Sequence, residues 1–204
     1  MLKGFNKAQL NENIEWTRYS NINSNVKNRP CVFLSHKRED KQACREIAKY
    51  LKKAEIDYYL DEEDNILQSA SVVNDPYIIT ESIKKGIRTS THMLCVISEK
   101  TFQSNWVPFE VGYGHAAIID KAMALGHRDQ KIKLSILTLK EISERLLPDF
   151  MKVGYQIRGT KSLNKYISDL SNKTESLLVN ENRLETKFYS FSTHSLDNYL
   201  DWEK

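Results

Sequence analysis

"HMLCVIS" (92–98) followed by "SNWVPFEVGYGHA" (104–116) decides the fold. The first run is apolar almost throughout, as in a strand buried on both faces. The second opens like a helix: Ser104 or Asn105 can cap it, and Pro108 falls in its first turn, where a missing N–H matters least. A buried strand feeding a helix is the unit of a parallel sheet. The helix has awkward contents. Gly112 and Gly114 each cost roughly 1 kcal/mol against alanine in a helix interior, which calls for a packing reason.

The same alternation extends to both sides. "CVFLS" (31–35) is a second continuous apolar run, and Asp40 can cap the helix after it. In that helix Ala43, Cys44, Ile47, Ala48 and Leu51 share one face. "IDYYLD" (56–61) is a strand, and 62–76, "EEDNILQSASVVNDP", is a long polar connection with no period. Pro76 precedes a helix with Ile79, Ile83 and Ile87 inward, and 92–98 is the most apolar strand, hence central. "KIKLSILT" (131–138) alternates lysine and serine with apolar residues, as in a half-buried strand near an edge. A short helix at 147–152, a strand at 155–159 and a helix at 161–172 complete the unit. The expectation is an α/β fold, a doubly wound, parallel five-stranded sheet in flavodoxin-like order. Residues 1–28 form an N-terminal extension with one short helix around 8–19, and 173–204 a tail in which "SLDNYLDWE" suits an amphipathic helix.

Composition narrows the function classes. The 204 residues carry 30 basic and 27 acidic side chains, intermixed, so nucleic-acid binding has little electrostatic support. No apolar run approaches the roughly 18–20 residues that span a bilayer, and the N-terminus lacks a signal-peptide core, so a cytoplasmic protein without a membrane partner is expected. The three cysteines form no CxxC pair and suit small buried hydrophobes. The five histidines show no metal-ligand spacing, and no phosphate-binding glycine loop is present, so no metal and no cofactor are expected.

Open α/β sheets bind ligands beyond the carboxyl ends of their strands. That rule selects Ser35, His36, Lys37 and Arg38 after the first strand, Asp61 after the second, Ser98 and Glu99 after the third, and Glu110 in the next helix. Trp106 and Glu110 are four apart and share a helix face. Spacing alone leaves two readings: Glu110 aimed at the rim with a chemical role, or a solvated Glu110 beside a core-anchoring Trp106. His36 suits a hydrogen-bonding loop residue or a base, and the acidic run 61–64 a solvated loop or a cation site.

"CVFLSHKRED", "DYYLDEEDN", "ITESIKKGIRTSTHMLCVIS" and "SNWVPFEVGYGHA", in this order and spacing, resemble TIR (Toll/interleukin-1 receptor) domains over roughly 29–172, most of all bacterial ones. The resemblance implies a flavodoxin-like fold and an enzyme that cleaves NAD, its substrate, at the nicotinamide–ribose bond. Carried over by motif, Glu110 is the catalytic glutamate and Trp106 borders the nicotinamide. Phe33, Ser35, His36 and Lys37 line the pocket, and Asp61 opens the covering loop. It also implies TIR–TIR self-association on activation and similarity to the NAD-cleaving subunit of antiphage systems such as Thoeris, whose product addresses a separate effector protein. The Pro-Gly and Phe-Trp pairs of the animal adaptor branch are absent here, which argues against an adaptor role. Two alternatives remain: a non-catalytic TIR scaffold, and a nucleoside deoxyribosyltransferase-like enzyme.

Overall fold

The computed structural model describes residues 3–9, 29–124, 131–140, 142, 147–187 and 192–202. Five parallel strands form one sheet: β1 (Cys31–Ser35), β2 (Asp57–Tyr59), β3 (His92–Ile97), β4 (Leu134–Thr138) and β5 (Tyr155–Ile157), in the order β2-β1-β3-β4-β5. This is the flavodoxin-like order, with β3 central. Strand periodicity sends alternate residues to two separate cores. Val32, Leu34, Leu94, Val96 and Leu137 face one layer; Phe33, Met93, Cys95, Ile97, Leu134 and Ile136 face the other. Each such fully buried apolar side chain contributes about 1.5–3 kcal/mol.

The first layer is covered by α1 (Lys41–Lys53), which buries the five expected residues and Tyr50. Asp40 stands at its N-cap position but makes no cap bond. Its carboxylate instead accepts from Ser98 Oγ at 2.5 Å, tying the β1 loop to the end of β3. The other layer holds α2 (Asn65–Val73) and α3 (Pro76–Thr89). α2 corrects the expectation of a connection without period. Asp64 accepts from the N–H groups of Ile66 and Leu67, and Asn74, at φ 53°, ends the helix. Only Leu67 and Ala70 are buried in it, too few to print a period on nine residues. Asp75 caps α3, with Pro76 in its first turn.

α4 (Trp106–Gly114) runs into a π-helical segment, His115–Asp120, and then α5 (Lys121–Ala124). Ser104, not Asn105, supplies the side-chain cap, accepting from Val107 N at 3.2 Å. The two glycines separate. A Cβ on Gly114 would lie 2.4 Å from Met93 Sδ, so this glycine lets α4 approach β3. A Cβ on Gly112 would meet nothing within 4 Å.

β4 also differs from expectation. It begins only at Leu134, leaving Lys131 and Lys133 outside it, and is buried at every position rather than half-buried, while its place next to edge strand β5 agrees with the expected place near an edge. After α6 (Asp149–Lys152) and β5 come α7 (Thr160–Ser171) and α8 (Glu175–Asn180). The segment beyond 172 packs into the first core through Leu178, Leu184, Leu196 and Leu200. Residues 195–199 are turns, not the expected amphipathic helix. The adjoining backbone is used elsewhere: Lys140 N–H donates to Tyr199 O, and Thr160 N–H to Asp201 O. Near the N-terminus, Asn6 pairs with Tyr58 beside edge strand β2, and a short 3-10 turn covers Lys7–Gln9. The rest of the helix expected around 8–19 lies outside the described residues. No helix among the described residues is long and apolar enough to cross a membrane.

Candidate active site

β1, β2 and α4 deliver their polar residues to one cleft of about 710 Å³ at the carboxyl end of the sheet. His36, Lys37, Arg38 and Lys41 line one side, with Asp61 and Glu62 beside them, and Trp106 and Glu110 come from α4. Leu67, Ile79 and Ile83 add apolar wall from α2 and α3.

The two residues that spacing left ambiguous are inverted with respect to the solvated-glutamate reading. Glu110 is 3% exposed, whereas Trp106 is 41% exposed. Val107 and Val111 anchor α4 in the core, which turns Glu110 inward over the end of β1. There Ser35 Oγ donates to Glu110 Oε2 at 2.5 Å. Burial pushes the Glu110 carboxyl up to about 7; the Asp61 carboxylate adds to the rise, and Ser35 and His36 oppose it. Trp106 stands at the mouth, edge-on to Phe109 with ring centroids 5.9 Å apart.

His36 is held on both ring nitrogens. Nδ1 lies 3.3 Å from Leu34 O, and Nε2 lies 3.1 Å from Glu62 Oε1. Asp61 Oδ1 is 3.9 Å from Nδ1. Glu62 reaches Arg45 of α1 with its other oxygen at 2.8 Å. Burial raises the Asp61 carboxyl above the usual range, against the pull of His36. Burial also works against ionisation of Glu62, but His36, Arg45 and Lys41 outweigh it and hold that carboxyl low.

The structure therefore brings His36, Lys37, Asp61, Trp106 and Glu110 to the cleft, with Ser35 directly behind Glu110. Phe33 lies in the core layer below, fully buried and stacked on Tyr59 at 5.6 Å, and is not part of the lining. Glu62 and Arg45 escaped the sequence reading. The first sat in an acidic run suited to a solvated loop, the second on the polar face of α1, and only tertiary packing puts them in contact. No three histidine, cysteine or acidic side chains gather as a metal set among the described residues.

Residues 32–125 match the family model of the TIR domain. No curated protein sequence matches. Among solved structures, the CMP N-glycosidase BcmB of Clostridium botulinum aligns at 15% identity and a TM-score of 0.41, over 69% of this chain and 98% of that one. The matched segment contains β1 to β3, α4 and every residue of the Ser35, His36, Asp61 and Glu110 constellation, and in it the chain is similar to a TIR domain.

Proposed function

We propose that the protein cleaves the nicotinamide–ribose bond of NAD, releasing nicotinamide and either ADP-ribose or a cyclic ADP-ribose isomer. The observation that carries this reading is Glu110: a buried carboxyl on the wall of an open cleft, bonded to Ser35 and flanked by an exposed tryptophan. The segment holding it is similar to a TIR domain.

The chemistry suits one carboxylate. The C1′–N bond breaks with its electron pair moving to the pyridinium nitrogen, so nicotinamide leaves neutral and needs no acid. Positive charge develops on C1′ and the ring oxygen of the ribose. Glu110, ionised, stabilises that charge and orients the ribose hydroxyls. A two-carboxylate glycosidase needs an acid as well, because its leaving group is poor. The oxygen of water then bonds to C1′ and loses its proton to give ADP-ribose; attack by a nucleophile of the dinucleotide itself gives the cyclic product. Trp106 offers a flat wall to the nicotinamide, and Lys37, Arg38 and Lys41 carry positive charge along the rim for the diphosphate. NAD is the substrate, and the proposed step needs no metal or further cofactor.

On this reading the product is a signal in bacterial antiphage defence, made in the cytoplasm for a separate effector protein, and the enzyme is activated by self-association. Purified protein incubated with NAD should release nicotinamide, and Glu110→Gln should lower the rate by about 100- to 1,000-fold with an unchanged circular dichroism spectrum. No release at any protein concentration, together with concentration-dependent assembly, would favour the scaffold reading. Turnover of deoxynucleosides without turnover of NAD would favour the deoxyribosyltransferase-like one.

A further inference from the structure

We propose that Glu62 is a positioning residue: together with the Leu34 carbonyl it holds His36 as a doubly protonated imidazolium, a fixed cation facing Asp61 and Glu110. The charge assignment rests on the bonds at the two ring nitrogens, while its catalytic consequence rests on the function proposed above.

The His36 side chain is 2% exposed, so protein groups rather than solvent must satisfy its two ring nitrogens. Nδ1 faces a backbone carbonyl and Nε2 a carboxylate oxygen, at 3.3 and 3.1 Å. Both partners only accept, so each nitrogen has to carry a hydrogen to make its bond. A neutral imidazole would set one nitrogen lone pair against an oxygen lone pair in a buried place. Glu62 is held in its ionised form, by His36 itself and by Arg45, which lies 2.8 Å from its other oxygen.

Each element packed against the ring contributes a titratable or charged group. α1 presents Cys44 to the ring, with Arg45 and Lys41 behind Glu62; the segment after β2 presents Asp61 and Glu62; α4 presents Glu110. Burial opposes a charge on His36, whereas Cys44, and after it Glu62 and Asp61, favour one. Burial pushes the Cys44 thiol up as well, so a neutral thiol lends the ring no charge, and the case for the second proton rests on the acceptors at the two ring nitrogens. Three carboxyl groups would otherwise repel one another at the cleft. With the His36 cation nearby Glu110 ionises more readily, and its carboxylate is the form the bond cleavage uses. Arg45, Glu62, His36 and Glu110 thus form a chain of alternating charge from the outer face of α1 to the cleft.

Full-length protein labelled with 15N-histidine tests this directly. Long-range 1H–15N spectra, with the His36 signals assigned through His36→Gln, should show both ring nitrogens protonated from pH 6 to 8. In Glu62→Gln one of them should lose its hydrogen by about pH 7.5. A wild-type His36 with one bare nitrogen at pH 7 overturns the proposal, and it does so even if NAD is cleaved. In kinetics, Glu62→Gln should move the acid limb of kcat for nicotinamide release upward. The rate then falls about tenfold at pH 6.5, recovers most of the way by pH 8.5, and KM changes little. Glu62→Asp should restore part of the acid-side rate. A uniform loss at every pH, with His36 still doubly protonated in Glu62→Gln, would make Glu62 merely structural and overturn its assigned role. A charged His36 in a protein that releases no nicotinamide supports the charge assignment and counts against NAD cleavage alone.

Discussion

The Tyr50 cluster on one face of the sheet and the Glu110 cluster on the other both bury groups that prefer water. Around Tyr50 every bond is matched. Its hydroxyl donates to Asn164 Oδ1 at 2.8 Å and accepts from Glu185 N–H at 2.9 Å and from His194 Nε2 at 3.2 Å. His194 Nδ1 accepts the Leu196 N–H at 3.0 Å, so that ring is neutral, and burial holds its pKa below the usual value. The cluster joins α1 and α7 to the segment beyond 172. Around Glu110 the groups are charged, crowded and open to the cleft. The difference teaches how to tell structural from functional polarity. The Tyr50 hydroxyl has all its bonds matched and its histidine stays neutral, whereas the Glu110 cluster keeps charge facing an opening, at a cost in stability, as a ligand site on the proposed reading would.

Four measurements press on that contrast. The largest expected effect is on rate. If the Glu110 carboxylate is the working form, kcat/KM should rise with pH through about 7 and fall about tenfold per unit well below it. A flat profile from pH 5.5 to 8.5 would remove the ionisation of Glu110 from the reaction.

The next effect is on stability, with the opposite dependence on pH. The Glu110 pKa is raised in the folded protein, from 4.5 to about 7, so between these values the folded state binds more protons than the unfolded one. Stability then declines as pH rises through that window. Glu110→Gln removes this cost. Denaturant titrations should find the variant more stable than the wild type by roughly 2–3 kcal/mol at pH 8, with the gap closing near pH 4. A variant less stable at pH 8 would place Glu110 with the structural cluster.

Tyr50→Phe should do the reverse. Losing the hydroxyl leaves Asn164, the Glu185 N–H and His194 without their shared partner and should cost about 1–3 kcal/mol, with nicotinamide release at 25 °C unchanged. A change in turnover larger than the change in folded fraction would break the separation of the two clusters. The smallest effect concerns the glycines of α4. Gly112→Ala should be neutral or stabilise by up to about 1 kcal/mol, since nothing lies near the new methyl group. Gly114→Ala should destabilise, because Met93 must move aside.

The sheet was legible because its strands are continuous apolar runs, and such runs have few other places to go. α2 was not, because two buried residues and an Asp64 cap are a faint pattern within a polar stretch. β4 was misjudged because its alternation came from Lys131 and Lys133, which precede the strand. At the candidate site, the strand-end rule found Ser35, His36, Lys37, Asp61 and Glu110. It could not find Glu62 or Arg45, whose meaning comes from a contact between segments seventeen residues apart in number and on different elements.

By itself, the sequence determined the alternation of strand and helix, the central place of β3 and the rim at which polar residues collect, because hydrophobic period and chain connectivity are local properties. Only the tertiary structure decided which member of the Trp106 and Glu110 pair turns inward. Residues four apart share a helix face, and nothing in their spacing says which way that face is turned. Val107 and Val111, packed against the sheet, turn α4 so that the carboxylate meets Ser35 and the indole remains at the mouth.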